Sequence, residues 1–469
     1  MADAQKATTL GELRKSGHRV LPVREEIRRN LMARMRDGAA LFPGVMGYED
    51  TVIPQVENAV LAGQDIIFLG ERGQAKSRII RSLVGFLDEE TPVVRGCEIN
   101  DNPYAPICLG CRTRLAEEGD GLEIDWLPRD QRYAEKLATP DISVADLIGE
   151  IDPIKVAEGR YLSDELTIHF GLIPRANRGI FCINELPDLA ERIQVGLFNL
   201  MEERDIQIRG HRVRLPLDIY VVASANPEDY TNRGRIITPL KDRYGALIRT
   251  HYPKTVEEEV SIVDQERSRF ADTEEAVVVP DFMAEIIGEF TSLARRSADI
   301  NQRSGVSVRV SIANYETLAA CALRRAIRYN ETQAVPRVSD LPFIVASTLG
   351  KLELETVEDG REARVVDELT KKAVLNVFNR HFDANDFVEL QLRFEEGLEV
   401  EAGSEVPSFA YAERLGGEGG LAPMVQQFGI DPRKQEALFA SGAEFVLDGL
   451  HLNRKLNRDR IEGKFRYRT

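Results

Sequence analysis

The residues with the clearest chemistry form a phosphate-binding loop. The segment Gly70-Glu71-Arg72-Gly73-Gln74-Ala75-Lys76-Ser77 follows an apolar run and precedes a helical pattern. It matches G-x-x-x-x-G-K-[ST] at each fixed position except Ala75, where the pattern has glycine. Backbone N–H groups of such a loop, at the N-terminus of a helix, bind phosphates. We expect Lys76 to contact the terminal phosphates of a nucleotide and the Ser77 hydroxyl to bind Mg²⁺.

The predicted nucleotide-binding set is this loop together with the residue that follows it. Its members are Gly70, Gly73, Gln74, Ala75, Lys76, Ser77 and Arg78. Because alanine is small, we expect the loop to form in spite of Ala75. A glycine-rich turn without a ligand is the alternative interpretation, and the strand–loop–helix order disfavours it.

Polar residues also follow two other apolar runs. Asn184 and Glu185 follow Gly179–Ile183, at positions where P-loop ATPases carry an Asp that orients Mg²⁺ and a Glu that polarises water. Asn184 can accept a hydrogen bond from a Mg²⁺-bound water but carries no charge, so we expect weaker metal retention. Asn226 comes shortly after the run Ile219–Ala223, and we expect its side chain beside the γ-phosphate.

Three cysteines form a separate candidate site. Cys108 and Cys111 have the C-x-x-C spacing that suits tetrahedral Zn²⁺, and Cys97 is a candidate third ligand. No fourth cysteine is near, and the six histidines are distant in sequence. Reduced thiols without a metal are the alternative interpretation, and the sequence alone leaves both open.

Composition excludes several classes of protein. The chain has 469 residues, with 77 acidic against 61 basic side chains and a formal net charge of −16. Such a charge disfavours nucleic-acid binding by bulk electrostatics. No apolar run approaches the ~18 residues of a membrane span, and the first residues do not form a secretory signal. We therefore predict a cytoplasmic protein with reduced cysteines and no membrane partner.

The elements that would position these residues are strands alternating with helices. Apolar runs at Asp65–Leu69, Thr91–Val94, Ile180–Ile183 and Ile219–Ala223 predict a parallel sheet covered on both faces. After residue 253 the periodicity is helical. The last 19 residues hold seven Lys or Arg against two acids, and we expect a solvated or partner-docking tail.

These motifs, in this chain order, resemble the AAA+ ATPases of the group that contains MoxR proteins and the ATPase subunit of magnesium chelatase. The resemblance covers about residues 41–350. The resemblance implies that Asn226 is the first sensor residue. It also implies that the segment Leu240–Gly245 carries an arginine finger, which is Arg243. The segment Ser307–Ser311 corresponds to the second sensor, which is Arg309. Glu185, Arg243, Asn226 and Arg309 are therefore the expected catalytic residues.

The resemblance implies an AAA+ P-loop αβα core with a parallel sheet, a helical lid and a mainly helical C-terminal extension. The expected segments are an N-terminal helical segment (1–40), the α/β ATPase core (41–252), the lid (253–350) and the extension (351–469). Within the core we expect a cysteine-containing insertion at about 96–140, a helix-2 insert at about 151–172 and a β-hairpin at about 205–215. A glycine-rich linker is expected at 416–420.

The resemblance also implies a ring, with a hexamer expected, that couples Mg-ATP hydrolysis to remodelling of a partner protein. Related ATPases work with a separate protein that carries a von Willebrand factor A domain. Two alternatives stay open: a true chelatase subunit that drives porphyrin metalation, and an ATP-binding scaffold with little hydrolysis. A transcription activator is disfavoured, because the sequence contains no GAFTGA loop.

Overall fold

The computed structural model describes residues 6–152, 154, 167–207, 214–227, 235–271, 276–355, 360–416, 420–461 and 464–468. The chain divides into two compact units, unit 1 at Met1–His251 and unit 2 at Tyr252–Thr469. Most of the predicted helix-2 insert, the hairpin tip at 208–213 and linker residues 417–419 lie outside the described residues.

Unit 1 is an α/β domain. Its strands are β1 (Ile66–Leu69), β2 (Glu90–Val94), β3 (Ile124–Pro128), β4 (Tyr133–Leu137), β5 (Gly149–Ile151), β6 (Ile168–Phe170), β7 (Gly179–Asn184), β8 (Asp205–Gln207), β9 (Arg214–Pro216), β10 (Ile219–Ala225) and β11 (Ala246–Arg249). Its helices are α1 (Leu10–Lys15), α2 (Val23–Arg36), α3 (Val52–Leu61), α4 (Lys76–Ser82), α5 (Leu109–Glu118), α6 (Val144–Leu147), α7 (Leu172–Arg175), α8 (Glu191–Gly196), α9 (Phe198–Glu202) and α10 (Thr238–Arg243).

The central sheet of unit 1 has five strands in the order β11-β1-β10-β7-β4. All its neighbouring pairs are parallel. Side chains that alternate along β1 enter different cores, with Ile66 and Phe68 on one face and Ile67 and Leu69 on the other. The continuous apolar runs of the sequence are therefore strands buried on both faces, as predicted.

The strand predicted at Thr91–Val94 forms, but it lies outside the parallel sheet. It belongs to β2, which pairs antiparallel with β3 in a separate two-stranded sheet. The edge of the parallel sheet is instead β4, whose alternating polar residues gave no buried-strand signal. The ends of the predicted hairpin pair antiparallel as β8 and β9.

The N-terminal segment is part of unit 1, because α2 packs its apolar face on the sheet. Val23, Ile27 and Leu31 are fully buried in the core shared with β1 and β10. Glu26, on the same helix, makes a buried two-pronged ion pair with Arg132, with N–O distances of 2.6 and 2.7 Å.

Unit 2 is helical with a small sheet. Its helices are α11 (Val256–Glu266), α12 (Asp281–Ala294), α13 (Arg309–Tyr329), α14 (Ile344–Leu349), α15 (Arg361–His381), α16 (Val388–Glu395), α17 (Ser408–Leu415), α18 (Ala422–Phe428) and α19 (Glu436–Leu452). Its strands are β12 (Val400–Ala402), β13 (Asn457–Ile461) and β14 (Lys464–Arg468). One continuous hydrophobic core extends from Phe282 to Tyr467, so the residues predicted as separate lid and extension form one compact unit.

The basic C-terminal tail is folded as part of a sheet, which corrects the expectation of a solvated tail. Strand β14 lies between β12 and β13 in an antiparallel sheet. Its basic side chains face acidic residues of this chain, with Arg466 near Glu401 at 3.4 Å and Arg468 near Asp459 at 2.7 Å. The sequence shows that the tail is basic, but it does not show which carboxylates lie beside the tail in the fold.

Among the described helices, none combines the length and apolar character that a membrane crossing requires.

Candidate active site

The predicted site residues of unit 1 converge at the carboxyl edge of the parallel sheet. Leu69 at the end of β1 pairs with Ala225 at the end of β10, so Gly70 and Asn226 leave the sheet side by side. Ala223 of β10 pairs with Ile183 of β7, which brings Asn184 and Glu185 to the same edge. Ligands of open parallel sheets bind at this edge.

The phosphate-binding loop requires unusual backbone geometry at two positions. Gly73 has a φ of +75°, a value natural for glycine. Ala75, the departure from the motif, has φ 53° and ψ 14°, which is left-handed. An L-residue in that conformation carries strain of about 1–2 kcal/mol. The loop therefore forms with alanine, as expected, but in a conformation that glycine would adopt without strain.

Close packing holds the base of the loop. The Thr250 hydroxyl donates to Gln74 Oε1 at 2.7 Å, and a Cβ on Gly70 would lie 1.9 Å from Thr250 Oγ1. The Tyr48 hydroxyl lies 3.0 Å from the Gln74 carbonyl oxygen and 2.7 Å from that of His251. Burial raises the pKa of Tyr48 to about 12, which keeps its hydroxyl a donor at neutral pH.

Lys76 connects the loop to the neighbouring strand. Its ammonium donates to Asn226 Oδ1 at 2.7 Å, to the Glu71 carbonyl at 2.7 Å and to the Gly70 carbonyl. Lys76 and Asn226 are both buried. A cation held among three oxygen atoms is fixed in place, and its charge favours an anion beside it.

Two further residues of the predicted nucleotide-binding set lie in α4. Ser77 is exposed in the first turn of α4, where its hydroxyl can reach a bound cation. Arg78 donates from Nη1 to the Gly44 carbonyl at 2.8 Å, a bond that ties α4 to the segment before α3.

Asn184 and Glu185 are joined through a residue that the sequence did not single out. The Ser224 hydroxyl donates to Asn184 Oδ1 at 3.1 Å and accepts from the Glu185 N–H at 3.2 Å. Glu185 has a φ of 54°, a left-handed conformation that turns the chain at the end of β7. Such strain in a non-glycine residue is typical of functional sites.

A carboxylate stands beside Asn184. The Asn184 side-chain N–H donates to Glu135 Oε1. Arg81 makes a two-pronged ion pair with Glu135 at 3.0 and 3.1 Å, and the Tyr133 hydroxyl donates to it at 2.9 Å. Burial opposes ionisation of Glu135, but the bonds from Arg81 and Tyr133 outweigh it and lower its pKa. The structure therefore puts a negative charge next to the amide.

Arg243 contacts residues of its own subunit that are not predicted site residues. Its guanidinium binds Glu202 Oε2 at 2.6 and 3.0 Å, donates to the Pro239 carbonyl at 2.7 Å and lies 4.6 Å from the Phe198 ring centroid. Its side chain is 25% exposed. Arg309 belongs to unit 2, where it begins α13 with an exposed side chain.

The cysteine insertion brings together four possible metal ligands. The donor atoms of Cys97, Asp101, Cys108 and Cys111 all lie within 4.8 Å of one another. Hydrogen bonds from the thiols of Cys108 and Cys111 lower the pKa of Cys97. Burial and the charge at Cys97 raise the pKa of Asp101 to about 6. The other two cysteines, Cys182 and Cys321, are buried, as predicted.

Comparisons with known proteins find similarity to magnesium-chelatase subunits. Magnesium-chelatase subunit ChlI of Nostoc sp. is 28% identical over 262 residues, which are 54% of this chain and 64% of that protein. Magnesium-chelatase subunit ChlI-2 of Arabidopsis thaliana is 29% identical over 236 residues, 49% of this chain and 52% of that protein. Over about half of its length, the chain is similar to the magnesium-chelatase ChlI subunits. It spans less than two thirds of the length of these relatives.

Two further similarities are found. A family model described as the Sigma-54 interaction domain matches residues 157–241. A structure of the complex between subunits BchI and BchD of magnesium chelatase contains a chain with 20% identity and a TM-score of 0.35. That similarity covers 70% of this chain and 98% of the other. Unit 1, with its phosphate-binding loop at the edge of a five-stranded parallel sheet, has the AAA+ P-loop α/β fold.

Sequence reasoning missed the residues that support the site. Ser224 lies two residues before Asn226 on a strand that was predicted, so its polar type at a buried strand end was an available signal. Glu135 lies on β4 and Thr250 directly follows β11, and neither had a motif to mark it. Only the strand order brings them to Asn184 and Gln74.

Replacing Ala75 by glycine is expected to stabilise the protein. Ala75→Gly removes the left-handed strain and should raise the free energy of unfolding by about 1 kcal/mol or less, since glycine also loses more chain entropy. Ala33→Gly, at an exposed position inside helix α2, is the matched control and should lower it by about 1 kcal/mol. Urea denaturation followed by circular dichroism measures both free energies of unfolding. Equal losses of stability in the two variants would contradict the left-handed conformation of Ala75.

Proposed function

We propose that this chain binds Mg-ATP at the carboxyl edge of the unit 1 sheet and hydrolyses it. The observation that carries the proposal is the contact between Lys76 and Asn226, at 2.7 Å. It joins the lysine of the phosphate-binding loop to the side chain at the end of the next strand. A phosphate between these groups would meet one cation and one amide, the partners that terminal phosphates use.

The roles follow from the chemistry of each side chain. Lys76 neutralises charge on the β- and γ-phosphates, and Asn226 orients the γ-phosphate. The Ser77 hydroxyl and Asn184 Oδ1 are oxygen ligands of the kind that Mg²⁺ takes, directly or through water. Glu185, whose backbone is held by Ser224, polarises the attacking water.

Two variants test binding and hydrolysis separately. Lys76→Ala should abolish tight ATP binding, because it removes the charge on the phosphates. Glu185→Gln should keep ATP affinity and reduce the hydrolysis rate at least about 10²-fold, as loss of a general base implies. Fluorescent-nucleotide titration and phosphate release measure the two effects. Lys15→Ala, on the exposed end of α1, is the control, and unchanged ATP affinity in Lys76→Ala would refute the proposal.

Glu135 is proposed to act through Asn184. Asn184 donates to Glu135 and accepts from Ser224, so this carboxylate fixes which way the amide points. With its N–H group bound to Glu135, Asn184 directs its Oδ1 toward Ser224. The Glu135 carboxylate also keeps a negative charge beside Asn184, which is an uncharged Mg²⁺ ligand. An aspartate at position 184 would instead set two carboxylates within hydrogen-bond distance, where like charges disfavour joint ionisation.

An exchange of the two groups tests this role. Glu135→Gln and Asn184→Asp, each alone, should raise the Mg²⁺ concentration for half-maximal hydrolysis by about tenfold, typical of an outer-shell partner. The double variant keeps one carboxylate facing one carboxamide and should return toward the wild-type value. Phosphate release at varied Mg²⁺ measures this. A double variant no better than the worse single variant would show that Glu135 does not act through Asn184.

The active unit is proposed to be a ring, with six subunits expected. The Arg243 guanidinium is bound to Glu202 and Pro239 of its own chain and remains partly exposed. An arginine held at the surface in this way is suited to the nucleotide of a neighbouring subunit, where a cation stabilises charge in the transition state. Arg309 is proposed as the second sensor, with an effect on nucleotide affinity.

Mixing variants tests the arginine finger. Arg243→Ala should bind ATP like the wild type and lose hydrolysis by a factor of about 10³ or more. Glu185→Gln subunits supply an intact Arg243, and Arg243→Ala subunits supply an intact site. Combined, they should recover part of the activity that each lacks alone. If mass spectrometry shows exchanged subunits and the mixture stays inactive, Arg243 does not act in trans.

The partner is proposed to be a separate protein with a von Willebrand factor A domain, whose remodelling the hydrolysis would drive. Porphyrin metalation is the second candidate, favoured by the ChlI relatives. The large C-terminal part of unit 2 and the cysteine insertion favour the first. An ATP-binding scaffold is the third, and the phosphate-release assay separates it from both.

A further inference from the structure

The insertion between β2 and β3 carries a cluster of side chains that ATP hydrolysis does not use. Cys97 follows β2, Asp101 lies in the next turn, and Cys108 and Cys111 stand at the start of α5. Their donor atoms converge within 4.8 Å of one another. A tetrahedral Zn²⁺ with bonds of about 2.3 Å sets its sulfur ligands about 3.8 Å apart, so the cluster is already near that size.

Backbone N–H groups donate to two of the sulfur atoms in the cluster. The Cys111 N–H donates to Cys108 Sγ at 3.3 Å, and the Asp101 N–H donates to Cys97 Sγ at 3.4 Å. Cys108 is the N-cap of α5, where the helix dipole favours an anion. These contacts stabilise thiolates, which are the form that binds metal.

Asp101 supplies the fourth donor and the strongest indication of a ligand. It is fully buried, and its Oδ2 accepts from the Cys108 N–H at 3.0 Å. Its other oxygen, Oδ1, is buried without a hydrogen-bond partner among the described residues. A buried carboxylate oxygen with no partner is costly, and a bound cation would remove that cost.

The core on the α1 side of the cluster is small. The small core around the cluster contains four buried apolar residues, which are Leu10, Val94, Cys111 and Leu122. A core of that size supplies little stability without a cross-link or a metal. Helix α1 depends on the same insertion, because the Leu10 N–H donates to the Leu122 carbonyl at 2.9 Å.

We propose that Cys97, Asp101, Cys108 and Cys111 bind one structural Zn²⁺. Three thiolates select a soft or borderline metal over Mg²⁺ or Ca²⁺. Four protein ligands complete a tetrahedron and leave no open position for catalysis. The metal therefore acts as a cross-link that fixes the insertion and α1 to each other.

The test uses the full chain, purified under reducing conditions with any affinity tag removed. Elemental analysis should find one Zn²⁺ per chain in the wild type, and none in the double variant Cys108→Ser, Cys111→Ser. Titration of metal-free protein with Co²⁺ should produce the absorption bands of a tetrahedral thiolate site. Cys321→Ser, a buried cysteine of unit 2, is the matched control and should leave the metal content unchanged.

Two variants that differ in their ability to bind metal at position 101 test the role of Asp101. Asp101→Asn keeps the shape of the side chain and should weaken Co²⁺ binding at least tenfold. Asp101→Cys keeps a ligand at the position and should retain tight binding with stronger charge-transfer absorption. Because both readouts are metal binding, they do not depend on the ATPase proposal.

Three results would overturn the site. Reduced wild-type protein that contains no zinc and gives no Co²⁺ spectrum excludes metal binding. An Asp101→Asn variant with wild-type Co²⁺ affinity excludes Asp101 as the fourth ligand. A Cys108–Cys111 disulfide found by mass spectrometry in protein alkylated directly on cell lysis would assign the pair to redox chemistry instead.

Discussion

The candidate active site depends on strands that are hydrogen-bonded on both sides. Strands β1, β10 and β7 each lie between two parallel neighbours and are buried on both faces. A strand held in this way cannot slide by one residue without moving its side chains into the wrong core. The polar residues at the three strand ends therefore keep a fixed spacing, although they come from distant parts of the sequence.

That rigid edge can support local strain. Ala75 and Glu185, at the ends of two loops, both adopt left-handed backbone conformations, and Gly70 leaves no room for a side chain. Strain of this kind persists only where the surrounding structure over-determines the conformation. Here the Thr250–Gln74 and Ser224–Glu185 bonds provide that support, and both of their anchoring hydroxyls come from the buried sheet or its ends.

Each unit contains a buried ion pair. Glu26 with Arg132 in unit 1, and Asp340 with Arg325 in unit 2, are buried pairs with N–O distances below 3 Å. The loss of one partner from such a pair is costly, because the other charge stays buried. The C-terminal strand also pairs its basic side chains with carboxylates of this chain, although these pairs are partly exposed.

The sequence by itself determined the parallel α/β core, the phosphate-binding loop and the strand ends at Asn184 and Asn226, because these signals are local in the chain. It also marked the three cysteines by their spacing. Only the tertiary structure decided which carboxylates lie beside Asn184 and beside the cysteines. Glu135 reaches Asn184 only because β4 pairs with β7, and Asp101 reaches the cysteines only because the insertion folds back on itself. Strand order and loop closure depend on contacts between distant residues, and no local pattern encodes them.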